Sequence, residues 1–133
     1  MRMLEKDDPS TDVPVTKVDQ DRINQFSRLN SRTDEIVDVL DGLRKEKEDL
    51  EEIETEMELV DEDDVVMYKL DTTFVHIPAS EALEHLQLHL EKIKKEVDEL
   101  EEEKSKCEET MDELKKELYA KFGNSINLER GDD

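Results

Sequence analysis

One spacing governs the second half of this chain. Positions 83, 86, 90, 93, 97, 100, 104, 107, 111, 114 and 118 read Leu, Leu, Leu, Ile, Val, Leu, Lys, Cys, Met, Leu and Leu, so ten of eleven are apolar. A 3-4 alternation of this kind draws a narrow stripe on an α-helix, and the stripe is buried only by packing against another helix. The first half supplies the partner. Positions 26, 29, 33, 36, 40, 43, 47, 50, 54 and 57 read Phe, Leu, Thr, Ile, Leu, Leu, Lys, Leu, Glu and Met, seven of ten apolar. Gly42 beside this seam weakens the helix locally by about 1 kcal/mol. Composition matters because the stripe is all there is to bury: 44% of the 133 residues are charged, 34% are hydrophobic, and Trp is absent. Without the period, such a chain would read as disordered. With it, the chain buries a seam and leans on partners for stability.

The spacing predicts helices over 17–60 and 81–122. Thr16 offers an N-cap to the first, with Asp19 three residues on as a short form of the capping box. Ser80 is the expected N-cap of the second, with Glu81 in its first turn. Gly123 is its expected C-terminal stop. The two helices are of equal length, about 65 Å each at about 1.5 Å rise per residue. A short connection between equal helices folds them back antiparallel and brings both chain ends together. Thr33 should then face Lys104 and Cys107, forming one polar layer in the seam.

Between the helices the period changes. After Asp61-Glu62-Asp63-Asp64 come Val65–Leu70 and Thr73–Ile77, rich in β-branched and aromatic residues and separated by Asp71-Thr72. This is a hairpin signal. A tight two-residue turn prefers glycine, and Asp71 stands where one is expected. A lone hairpin is marginal in water, and its open edges invite pairing with other chains. Val66, Tyr68, Leu70, Phe74, Val75 and Ile77 are therefore the expected oligomerisation residues. The expected organisation is a flexible arm over 1–15, a first helix over 16–60, the hairpin hub over 61–79, a second helix over 80–122 and a tail over 123–133.

Chemistry for catalysis is not visible. The three glycines are too dispersed for a phosphate loop, and His85 and His89 lack a third ligand, so they read as surface histidines. The acidic run Asp61–Asp64 lacks the spacing of a calcium loop and reads as a solvated corner. Cys107 falls on the seam and reads as a small core residue. A net charge of −21 repels phosphate backbones and anionic membranes. Met1–Asp12 is too acidic and too poor in apolar residues for a signal peptide. A soluble intracellular protein, with neither nucleic acid nor membrane as partner, is the expectation.

The ends of the coil carry the remaining signal. Val13, Val15 and Val18 precede or open the first helix, and Phe122, Ile126 and Leu128 close or follow the second. Antiparallel pairing gathers them at one tip. They either cap the coil locally or offer an apolar grip to something external.

Two stretches add a family likeness. Asp19-Gln20-Asp21-Arg22-Ile23-Asn24-Gln25-Phe26-Ser27-Arg28-Leu29, continuing to Arg32, and Leu118-Tyr119-Ala120-Lys121-Phe122-Gly123-Asn124-Ser125-Ile126-Asn127-Leu128-Glu129, with the hairpin between them, resemble the β-type subunits of prefoldin. The likeness covers about residues 13–129. It implies a heterohexamer of two α-type and four β-type subunits, whose hairpins form a double β-barrel from which six coils hang. It further implies that coil tips hold unfolded chains, notably actin and tubulin, without nucleotide, and pass them to the cytosolic chaperonin. A cytoplasmic setting, with room for a nuclear pool, goes with it. On that likeness Val13, Val15, Val18, Phe122, Ile126 and Leu128 become the expected client-binding tip. A structural coiled-coil tether is the alternative, and it accounts for the seam but not for the hairpin or the apolar ends.

Overall fold

The structure, a computed structural model, describes Arg2–Met3 and residues 13–128. Most of the expected arm and the last residues of the expected tail lie outside the described residues. The order of elements is β1 (Arg2–Met3), α1 (Lys17–Glu58), β2 (Val65–Leu70), β3 (Thr73–Pro78), α2 (Ala79–Phe122), a 3₁₀ turn (Gly123–Ser125) and β4 (Ile126–Asn127). The fold is mainly helical, with two long helices and an antiparallel hairpin between them, as the periods predict.

Both seams hold. Every position of the two 3-4 series is buried or half-buried, including Lys47, Glu54 and Lys104. The chain divides into two compact units, one of Met1–Val37 with Glu101–Asp133 and one of Asp38–Leu100. In the first, side chains pair across the helices in antiparallel order. Arg22 Nε lies 3.1 Å from Glu117 Oε2, and Arg32 grips Glu103 through two bonds of 2.6 and 2.9 Å. In the second, His89 Nε2 lies 3.1 Å from Glu46 Oε1.

Thr33 is buried in the seam, within a turn of its expected neighbour Cys107. Its hydroxyl donates to the Leu29 carbonyl at 2.8 Å and lies 3.8 Å from the Met111 sulfur. Lys104 instead turns to Glu108, at 3.7 Å. Thr33 thus meets a residue one turn of α2 beyond Cys107, and its hydroxyl is satisfied within its own helix. The pairing of Asp19 with Lys121 and of Arg22 with Glu117 matches, to within a residue, the stagger expected from equal helix lengths.

The start of α2 also differs from expectation. β3 runs straight into α2 at Ala79, and Ser80 is already helical. The first-turn amides are met by backbone carbonyls: Ala79 N–H donates to Asp64 O at 2.7 Å, and Ser80 N–H to Glu62 O at 3.2 Å. The acidic corner therefore supplies the cap that Ser80 was expected to give. Helix ends need partners for such amides, and a carbonyl serves as well as a hydroxyl.

β1 was not anticipated. It pairs antiparallel with β4, Arg2 opposite Asn127 and Met3 opposite Ile126. The expectation of a flexible arm is corrected at these two residues. The chain past Gly123 has left its helix, so its backbone groups need new partners, and a two-residue strand is too short to show an alternating pattern.

Candidate functional site

Two places stand out, the hairpin and the terminal cluster. In the hairpin, Val66 faces Ile77, Tyr68 faces Val75 and Leu70 faces Thr73. Successive side chains of a strand alternate between faces, so these residues share one face and Val65, Met67, Lys69, Phe74, His76 and Pro78 share the other. The first face is half-buried over most of its length. It leans on the start of α2, where the His85 ring meets Tyr68 edge-on with centroids 6.2 Å apart. Burial pushes the Tyr68 phenol up from its ordinary value. The opposite face is open: Val65, Met67 and Phe74 are 64%, 60% and 59% exposed. Of the six residues expected to mediate assembly, five lie on the half-buried face and Phe74 on the open one. Val65 and Met67 are the other large apolar residues of the open face and do not belong to those six.

The turn joining the strands is Asp71-Thr72, and Asp71 has a φ of 53°. That left-handed conformation is the one a glycine was expected to supply. Aspartate is among the few other residues that tolerate it, because its short carboxylate can bond locally.

The terminal cluster is a small core. Phe26, Met111, Leu114, Leu118, Phe122, Ile126 and Leu128 are buried together, with Val13, Ile23, Leu29 and Tyr119 packed around them. Of the two readings of the six end residues, local capping describes three of them, which bury themselves in this core. Phe122, Ile126 and Leu128 do so by joining the last turns of the seam. Val13 is half-buried against them, and only Val15 and Val18 face solvent.

Polar contacts tie this cluster shut, and sequence reading saw one of them. Thr16 and Asp19 form the reciprocal capping box: Thr16 N–H donates to Asp19 Oδ2 at 3.0 Å, and Asp19 N–H to Thr16 Oγ1 at 3.2 Å. The same buried carboxylate receives the Lys121 ammonium from the far end of the chain. The Lys121 hydrogen bond, then that of the Thr16 amide, holds the Asp19 carboxyl down at about 2. The Tyr119 hydroxyl accepts the Leu128 N–H at 2.9 Å. Nothing in the local sequence signals the Lys121 or Tyr119 contacts, since each depends on the fold-back.

Among the described residues there is no group of three or more His, Cys, Asp or Glu side chains placed to hold a metal. His85 and His89 are engaged separately, with Tyr68 and Glu81 for the one and Glu46 for the other. No helix among the described residues is long and apolar enough to cross a membrane.

A pair of helices joined by a hairpin with an open apolar face defines a class of protein that is one part of a larger assembly. Comparison with known proteins gives the class its family. A family model described as prefoldin subunit matches residues 20–125, and this chain belongs to that family. The chain is 40% identical over 116 residues to prefoldin subunit 4 of Saccharomyces cerevisiae, covering 87% of this chain and 90% of that protein. It is 34% identical over 119 residues to prefoldin subunit 4 of Homo sapiens, covering 89% of each. Among solved structures, the prefoldin beta subunit from Thermococcus strain KS-1 has the same fold, with a TM-score of 0.71 at 18% identity, covering 83% of this chain and 96% of that one. The resemblance to prefoldin seen in the sequence is thus established, and it lies with subunit 4. Family membership makes the chain a subunit of a chaperone complex that assembles with other prefoldin subunits.

Proposed function

We propose that this chain is one β-type subunit of a cytoplasmic heterohexamer, alongside two α-type and three further β-type prefoldin subunits. The hexamer captures unfolded polypeptides such as actin and tubulin and transfers them to the cytosolic chaperonin. It uses no nucleotide and performs no chemistry on its client. The observation that carries the reading is the open hairpin face, where Val65, Met67 and Phe74 lie exposed on a sheet of only two described strands. Sister hairpins would cover that face and pair its edges.

The mechanism follows from weak contacts shared among several coils. An unfolded chain exposes apolar segments at many points. Each coil end offers a small apolar contact, and simultaneous engagement by several ends raises affinity through effective concentration. Val15 and Val18 are this subunit's standing contribution, since they are exposed in the folded tip. The charge of −21 keeps the loaded assembly soluble.

The test is a reconstituted hexamer carrying Val15→Ser and Val18→Ser, titrated with denatured actin. Both sites are exposed, so the melting temperature should hold while suppression of actin aggregation falls in part, five other coils remaining. Aggregation suppression and transfer to chaperonin equal to wild type would place the grip elsewhere on the assembly.

A further inference from the structure

The terminal cluster buries the very side chains that an apolar grip would use. Phe122, Ile126 and Leu128 are among the least exposed residues of the chain, at 3%, 3% and 1%. Besides that burial, the segment beyond Phe122 is fastened by local contacts that include a 3₁₀ turn, a two-residue pairing with β1, the bond from Leu128 N–H to the Tyr119 hydroxyl, and further partners of Ser125 and Asn127. It departs from the helix at Gly123, whose φ is 56° and whose missing Cβ would meet nothing within 4 Å. Lys121, two residues before that exit, is drawn across to the buried Asp19 at the start of α1. Locally fastened segments open at lower free energy than the fold as a whole.

We propose that the tip is latched: the Lys121–Asp19 ion pair and the Tyr119–Leu128 hydrogen bond keep Ile126 and Leu128 folded into the cluster, and an unfolded polypeptide gains these side chains, and Phe122 beneath them, when the segment swings out about Gly123. This rests on the reading that the coil ends hold unfolded polypeptide. In the closed state Val15 and Val18 are the large apolar side chains that the described residues of the tip expose, so free chaperone has little with which to associate with itself. An incoming apolar segment replaces the intramolecular contacts with equivalent intermolecular ones. The latch thus sets how readily the tip engages and makes engagement reversible.

The experiment uses the assembled hexamer with either Lys121→Met or Tyr119→Phe in this subunit. Lys121→Met keeps the aliphatic stem and removes the charge; Tyr119→Phe keeps the ring and removes the acceptor. Hydrogen exchange at the amides of Ile126–Leu128 is read beside the rate of capture of denatured actin. Loss of one such bond should speed exchange about tenfold, with faster capture and an unchanged hexamer mass. Exchange at the wild-type rate overturns the latch. Faster exchange with unchanged or slower capture also overturns it; the coil-end reading then stands if Val15→Ser with Val18→Ser weakens capture, and falls with the latch if it does not.

Discussion

Asp19 shows how much one side chain can carry. It caps α1 through the Thr16 amide and anchors Lys121 of α2, and its carboxyl is held at about 2 against an ordinary 3.8. A depressed folded pKa means that the ionised form is the one bound. Its contribution is therefore complete above about pH 4 and disappears as pH falls through 2. Melting temperatures of wild type and Asp19→Asn should differ at pH 7 and converge between pH 4 and 2. A gap that persists to pH 2 would assign the effect to something other than the charge. Asp71 is a second local test. Its φ of 53° costs an L-residue on the order of 1 kcal/mol, which glycine relieves while losing some chain entropy. Asp71→Gly should raise unfolding free energy by a few tenths to about 1 kcal/mol, and Asp71→Val should lower it. At this scale the sequence was legible wherever partners are neighbours. The Thr16–Asp19 box and the Gly123 stop were readable from spacing. The Lys121 and Tyr119 contacts and the carbonyl cap on α2 depend on residues brought together by the fold.

Among elements, the helices were the most readable, because a 3-4 period states both the element and its buried face. The hairpin was readable as an element; which of its faces lies against α2 was not, because alternation alone gives two faces without saying which one the helix covers. Stagger was readable to about a turn. Thr33 meets Met111, and Lys104 pairs within its own helix. The consequence is measurable by a double-mutant cycle. Thr33→Val and Lys104→Leu remove separate polar partners, the Leu29 carbonyl and Glu108, and should be additive within about 0.5 kcal/mol. Thr33→Val and Met111→Leu share a contact and should depart from additivity by more. Coupling between Thr33 and Lys104 instead would restore the layer first expected. The terminal strands were invisible for a plainer reason: two residues cannot display a period.

For the whole molecule, the proposed hexamer predicts that the two faces of the hairpin separate folding from assembly. Phe74 is exposed on the open face, so Phe74→Asp should leave the subunit helical by circular dichroism and remove it from the hexamer by native mass. Val66→Asp strikes the half-buried face and should impair the subunit's own fold as well. Stoichiometric recovery of Phe74→Asp in the hexamer would take the open face out of the interface. The hairpin is also attached unequally to its two helices. α1 reaches β2 through the segment Leu59–Asp64, whereas β3 passes into α2 with no residue between Pro78 and Ala79. In mechanical terms the first joint is a short link, stitched to the start of α2 by the Glu62 and Asp64 carbonyls, and the second is a weld. Slack inserted between Leu59 and Val60, ahead of those stitches, should be absorbed, while the same slack at Pro78–Ala79 should uncouple the lever from its mount.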